Sequence, residues 1–188
     1  MFWQKERHST LKGLAAGAIG GAIASFAMNQ FQAGVSKLFE HPEQDPQKKD
    51  RAQQAQGWKE HREPHGQEEE NATMKAATAV SEGVFDRQLS HDEKQQAGNA
   101  MHYGFGILSG AFYGAMVEEL PVARVGEGLV FGTALWLTAD EVAVPALGLS
   151  KRPREYPARV HAMALGSHLV YGLTTEIVRS ALRGRWKS

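Results

Sequence analysis

The sequence predicts an all-α fold: a four-helix transmembrane bundle with a long polar loop and a short amphipathic interfacial helix between spans 1 and 2. Three observations predict it. Apolar stretches rich in glycine and alanine run over residues 11–31, 100–117, 126–149 and 160–178, and about 20 helical residues rising about 1.5 Å each cross a hydrocarbon core roughly 30 Å thick. Glycines recur every fourth residue at Gly13, Gly17 and Gly21, at Gly106, Gly110 and Gly114, and at Gly128 and Gly132. That spacing lets helix backbones approach closely in lipid. In a soluble amphipathic bundle each such glycine costs up to about 1 kcal/mol relative to alanine, which argues against a water-soluble glycine-rich core. Finally, the mean hydropathy of −0.40 averages those stretches with residues 40–73, which are nearly free of large aliphatic side chains and cannot bury enough apolar surface to order as a core.

Taken in order, residues 1–10 read as an N-terminal polar tail and 11–39 as the first span with its extension. The charge-free run from Gly13 to Met28, preceded by Lys5, Arg7 and Lys12, also has the form of a secretory signal peptide, with Ala22-Ile23-Ala24 as a cleavage triplet. Three later apolar stretches that still need a bilayer favour a retained helix. Residues 40–70 read as a disordered polar loop. Within 71–89, Asn71 caps an amphipathic interfacial helix with Met74, Ala77, Val80, Val84 and Phe85 on one side and Lys75, Glu82 and Asp86 on the other. Ser90 and Glu93 have capping-box spacing, so a helix from about His91 feeds the second span. Residues 90–183 form a three-span core and 184–188 a basic C-terminal tail. Pro145 lacks a backbone N–H and leaves the carbonyl of Glu141 free beside Asp140. Two readings of that break stand, a cation- or proton-binding interruption and a plain kink.

Composition excludes several function classes. Lys plus Arg equals Asp plus Glu at 21 each, so no basic field is present to hold nucleic acid. Without cysteine there is no disulfide framework and no thiolate metal site. No nucleophilic triad, phosphate-binding glycine loop or dinucleotide fingerprint is visible. No cofactor is predicted and no catalytic residue stands out.

Alternating crossings make the second and fourth spans parallel and the third antiparallel to them. His102, Asp140, Glu141 and His161 then fall at one end, with His168 about two turns deeper on nearly the same face as His161. Ionisable groups at such depth are costly in lipid and mark function. The set suits a proton relay near neutral pH, or zinc, iron or manganese held by His102, Asp140, Glu141 and His168. It also suits a structural hydrogen-bonded network. Neither the Glu-x-x-His pairs of di-iron bundles nor a His-Glu-x-x-His zinc motif is present in the spans. At the other end gather Glu118, Glu119, Arg124, Glu127, Glu176 and Arg179. Glu176 and Arg179 can pair at i, i+3, and Arg124 is available to Glu118 or Glu119, giving a neutralised rim.

Three blocks of the chain resemble the YagU-like inner-membrane proteins of bacteria, whose function is not established. The first is His102, Gly110, Tyr113, Glu118 and Pro121; the second is Pro145, Gly148 and Leu149; the third is Gly166, His168-Leu169-Val170, Glu176-Ile177 and Arg179. The resemblance covers residues 71–183 and implies a multipass inner-membrane protein. Asp140-Glu141 departs from the family's pattern and the loop from Glu40 to Asn71 is not matched to it, so the resemblance supports His102, His168 and Glu176 as site residues ahead of the carboxylate pair.

The leading expectation is a multipass protein of the bacterial inner membrane whose interior His and carboxylate groups bind or relay protons, ions or a small polar ligand, with envelope stress as the setting. A second is an assembly protein that uses its glycine stripes to form homo-oligomers or to meet a membrane-protein partner. A third is a membrane metalloenzyme. Lys5, Arg7, Lys12, Arg183, Arg185 and Lys187 favour both ends in the cytoplasm, while Lys151, Arg152, Arg154 and Arg159 argue the other way.

Overall fold

Helix α1 (Phe2–Phe39) is the hub of the chain, lying along both α3 (His91–Glu119) and α6 (Ala158–Arg185). The computed structural model describes residues 2–39 and 70–185; the polar loop over 40–69 and the tail residues 186–188 lie outside the described residues. All regular structure within them is helical. Helix α2 (Ala72–Phe85) packs on α3. After a 3-10 turn at Pro121–Arg124 comes a rod of three parts: α4 (Leu129–Trp136), a π-helical segment (Leu137–Ala143) and α5 (Val144–Ala146). The α4 end of the rod packs on α6. A second 3-10 turn, Pro153–Glu155, precedes α6.

The glycines set the register. Gly13 faces Gly114, Gly17 faces Gly110 and Gly21 faces Gly106, so α1 and α3 run antiparallel. A Cβ at Gly17 would lie 2.1 Å from the Gly110 carbonyl oxygen, and one at Gly114 would lie 2.1 Å from that of Gly13. Only hydrogen fits between these backbones. Gly20 meets Thr175, and Gly166 meets Phe31, which makes α6 antiparallel to α1 as well. Across the rod, Gly132 meets His168 and Gly128 meets Gly172. Gly128 is doubly constrained: its φ of +88 is left-handed, and a Cβ there would sit 2.1 Å from the Gly172 oxygen.

Local signals start the helices. The Asn71 side chain accepts from the Met74 N–H at 2.9 Å, and Asp86 ends α2 in the left-handed region. The capping box at Ser90 and Glu93 is formed in both directions. Hydrogen bonds from the Ser90 backbone and hydroxyl hold the Glu93 carboxylate below its ordinary range. Helix α1 begins at Phe2, well ahead of the apolar run, so Ser9 and Thr10 belong to the helix.

Pro145 acts differently from a simple kink. The chain widens to an i−5 register ahead of it, with the Val144 N–H on the Ala139 carbonyl. In that register the carbonyl facing the hydrogen-less Pro145 nitrogen is that of Asp140, not Glu141.

Many large apolar side chains are exposed while several polar and charged ones are buried. Two helical stretches are long and apolar enough to cross a membrane, Ser9–Lys37 and Leu129–Ala146. Phe26, Phe105, Leu108, Phe112, Val130, Leu137, Val142 and Ile177 are exposed. Ser25, Ser167, His168, Thr175, Glu176, Arg179 and Arg183 are buried. The apolar core is small, with Ala24, Met28 and Tyr171 packed against Phe131 and Leu135.

The α1–α3 contact predicts a contrast between glycines. Gly17→Ala and Gly110→Ala should each destabilise the chain by about 1–3 kcal/mol, the usual cost of overpacking. Gly104→Ala, with nothing within 4 Å of the new methyl group, should be neutral or stabilising by up to about 1 kcal/mol. Thermal unfolding in detergent followed by circular dichroism checks the order.

Candidate functional site

The antiparallel registers collect the ionisable groups at two levels. At the level of the π-helical segment, His102 comes from α3, His161 and His168 from α6, and Asp140 and Glu141 from the rod. His168 donates from Nδ1 to the Ala164 carbonyl at 2.9 Å, and the same nitrogen lies 3.7 Å from Asp140 Oδ2. His102 lies against the backbone of Ser25 on α1 and within electrostatic range of His168 and Asp140. These three groups form one neighbourhood.

His161 and Glu141 form a separate pair. His161 Nδ1 is 2.6 Å from Glu141 Oε1, and its Nε2 is 2.9 Å from the Pro153 carbonyl. A carboxylate oxygen and a backbone carbonyl thus flank the two ring nitrogens. Among the described residues, no group of three or more His, Asp and Glu is arranged to hold a metal ion. The set of His102, Asp140, Glu141 and His168 read from sequence is divided, with Glu141 turned to His161.

Two buried nitrogens at this level lack partners. His102 Nε2 and Trp136 Nε1 are both shielded from solvent and make no hydrogen bond. Trp136 precedes Asp140 by one turn on the rod. A buried polar atom left unpaired costs about 1–3 kcal/mol, and native structures carry few of them.

The second level is dominated by ion pairs. Arg183 grips Glu118 with two bonds of 2.7 Å, and Ser9 bridges the same pair, donating to Glu118 at 2.5 Å and accepting from Arg183 at 3.1 Å. Arg179 grips Glu176 at 2.7 and 2.8 Å, and Ser180 donates to it at 2.6 Å. A longer contact of 3.5 Å from Arg179 to Glu118 joins the two pairs. Arg124 reaches Glu176 at 3.2 Å rather than Glu118 or Glu119, and Glu119 accepts from Thr10. Glu127 is exposed on the turn before α4. The Tyr113 hydroxyl is buried near Glu176 without a hydrogen bond of proper geometry.

Sequence reasoning missed Ser9 and Arg183 as members of these levels. Arg183 reads as a tail cation, yet it is buried in the ion-pair network. Its seven-residue spacing from Glu176 on one helix face was the available signal. Nothing local marks Ser9, because its place depends on the α1–α3 register.

Arg183→Ala should cost up to about 3 kcal/mol, since it strands a carboxylate that is only 13 % exposed. Arg124→Ala removes a side chain that is 57 % exposed and should cost under about 1 kcal/mol. Adding Glu118→Gln to Arg183→Ala should recover part of the loss, giving a non-additive double-mutant cycle in thermal unfolding.

No curated protein matches the chain, and no solved structure does. The model of one family matches residues 59–177, a segment that contains α2, α3, the rod and all of the His102–Asp140–His168 neighbourhood. That span is more than half of the chain, which therefore belongs to DUF1440, a family described as protein of unknown function.

Proposed function

We propose that this DUF1440 protein is a multipass protein of the bacterial inner membrane, of the YagU-like kind, in which α1, α3, the Leu129–Ala146 rod and α6 are four spans around a site that binds and relays protons. The membrane part of the reading is supported by the exposed apolar shell and the buried polar interior. In water that distribution is unfavourable on both counts. In lipid the shell meets hydrocarbon and the polar groups find partners inside. Only 6 % of the Leu129–Ala146 stretch is buried within the chain, as suits a helix with one face on its neighbour and the rest on lipid. With four alternating spans both termini would share one side, and the tail cations favour the cytoplasm as that side.

The observation that carries the proton reading is the His102 ring, within electrostatic range of His168 and Asp140, whose buried Nε2 makes no hydrogen bond. An imidazole with a free ring nitrogen near a carboxylate and a second imidazole can take up a proton and pass it on within the accessible pH range. The π-helical segment places Asp140 there and leaves its carbonyl without the proline's donor, and such segments recur at functional sites. The glycine stripes do not support an assembly role of their own. Gly13, Gly17 and Gly21 are covered by Gly114, Gly110 and Gly106 of the same chain.

The full chain reconstituted in vesicles under a potassium diffusion potential tests this, with proton entry read from an internal pH dye. Wild type should conduct above protein-free vesicles, and Asp140→Asn and His102→Ala should each fall to the protein-free level while Leu108→Ala conducts normally. Equal flux in all four proteins, or none in wild type, contradicts the relay.

A further inference from the structure

The turn between α5 and α6 carries exposed cations at Lys151, Arg152 and Arg154, and the first turn of α6 adds Arg159. The single acid among them is Glu155. None of the four cations makes an ion pair among the described residues, whereas Lys94 pairs with Glu70, Arg87 with Glu93, Arg124 with Glu176 and Arg183 with Glu118. The nearest carboxylate of the rod, Glu141, is held by His161.

The turn is also braced. The Tyr156 N–H donates to the Pro153 carbonyl at 3.1 Å and the Glu155 N–H to the Arg152 carbonyl at 2.9 Å. The Lys151 N–H donates to the Tyr156 hydroxyl at 3.3 Å, and His161 donates to Pro153. The cations therefore project from a fixed backbone that sits between the end of one apolar helix, at Ala146, and the start of the next, at Ala158.

We propose that this turn is a docking surface for the phosphate groups of anionic phospholipids. The inference rests on the membrane reading, which places the turn at headgroup depth. Guanidinium groups match phosphate oxygens in bidentate geometry, and four unpaired cations against one carboxylate supply the complementary charge. Each cation near an anionic membrane surface raises affinity about fivefold, and salt weakens the effect.

Native mass spectrometry of the full chain, released from neutral-detergent micelles doped with equal phosphatidylglycerol and phosphatidylcholine, tests it. Wild type should retain phosphatidylglycerol preferentially. Arg152→Gln with Arg154→Gln should cut the preference about fivefold per cation, and Arg152→Lys with Arg154→Lys should keep most of it. Lys12→Gln with Lys75→Gln removes two exposed cations elsewhere and should leave it unchanged. Equal retention of the two lipids by wild type, or an equal fall in the Lys12/Lys75 variant, overturns the proposal. A chain that stays monodisperse without detergent and carries no lipid overturns the membrane reading itself, whereas a membrane-inserted chain without lipid preference overturns this inference alone.

Discussion

The backbone contact between α1 and α3 is the constraint on which the remaining structure depends. Three glycine pairs bring the helices so close that a single methyl group at Gly17 would overlap the carbonyl of Gly110. Contact at that distance fixes the axial register as well as the spacing, because a shift of one turn would drive a larger side chain into the groove. From that register follow Ser9 beside Glu118 at one end and Asn29 beside Tyr103 at the other. The same helix α1 faces α6 through Gly20, so one central helix sets the height of both neighbours. The rod is then placed against α6 by Gly128 and Gly132. The two polar levels are consequences of those heights.

The levels differ in how densely they are ion-paired. Around Glu118 and Glu176, three arginines and two serines fill the carboxylate lone pairs. Bidentate, hydrogen-bonded pairs of this kind are the arrangement in which buried charge is tolerated. Around His102, Asp140 and His168 the bonding is incomplete, with one ring nitrogen and one indole nitrogen buried and unpaired. The Tyr113 hydroxyl beside Glu176 is unpaired as well, so the levels are told apart by the dense ion pairing of the one and its scarcity in the other.

Much of this organisation was legible in the sequence because it rests on short-range rules. The caps at Asn71 and Ser90 act over three residues, and the glycine period shows as a stripe on one helix face. The sorting of His102, Asp140 and Glu141 to one end and of Glu118, Glu176 and Arg179 to the other follows from helix direction alone. Partner choice was not legible, because it depends on register between helices far apart in the chain. Arg124 therefore meets Glu176 rather than Glu118, and Arg183 leaves the tail to join the interior. The π-helical widening was hidden too. Pro145 announces that a donor is missing but not whether the chain kinks or widens, and the difference moves the freed carbonyl from Glu141 to Asp140.

The central claim is that the bundle turns its apolar residues outward to lipid and its polar residues inward. The chain has no cysteine, so single-cysteine variants report position without background. In sealed membrane vesicles treated with a water-soluble thiol reagent, Leu108→Cys, Phe112→Cys and Val142→Cys should stay unlabelled until detergent is added. Glu127→Cys, on an exposed turn, should label once the reagent has access to its side of the membrane. Labelling of the first three as rapid as that of Glu127→Cys in intact vesicles would place those faces in water and contradict the account.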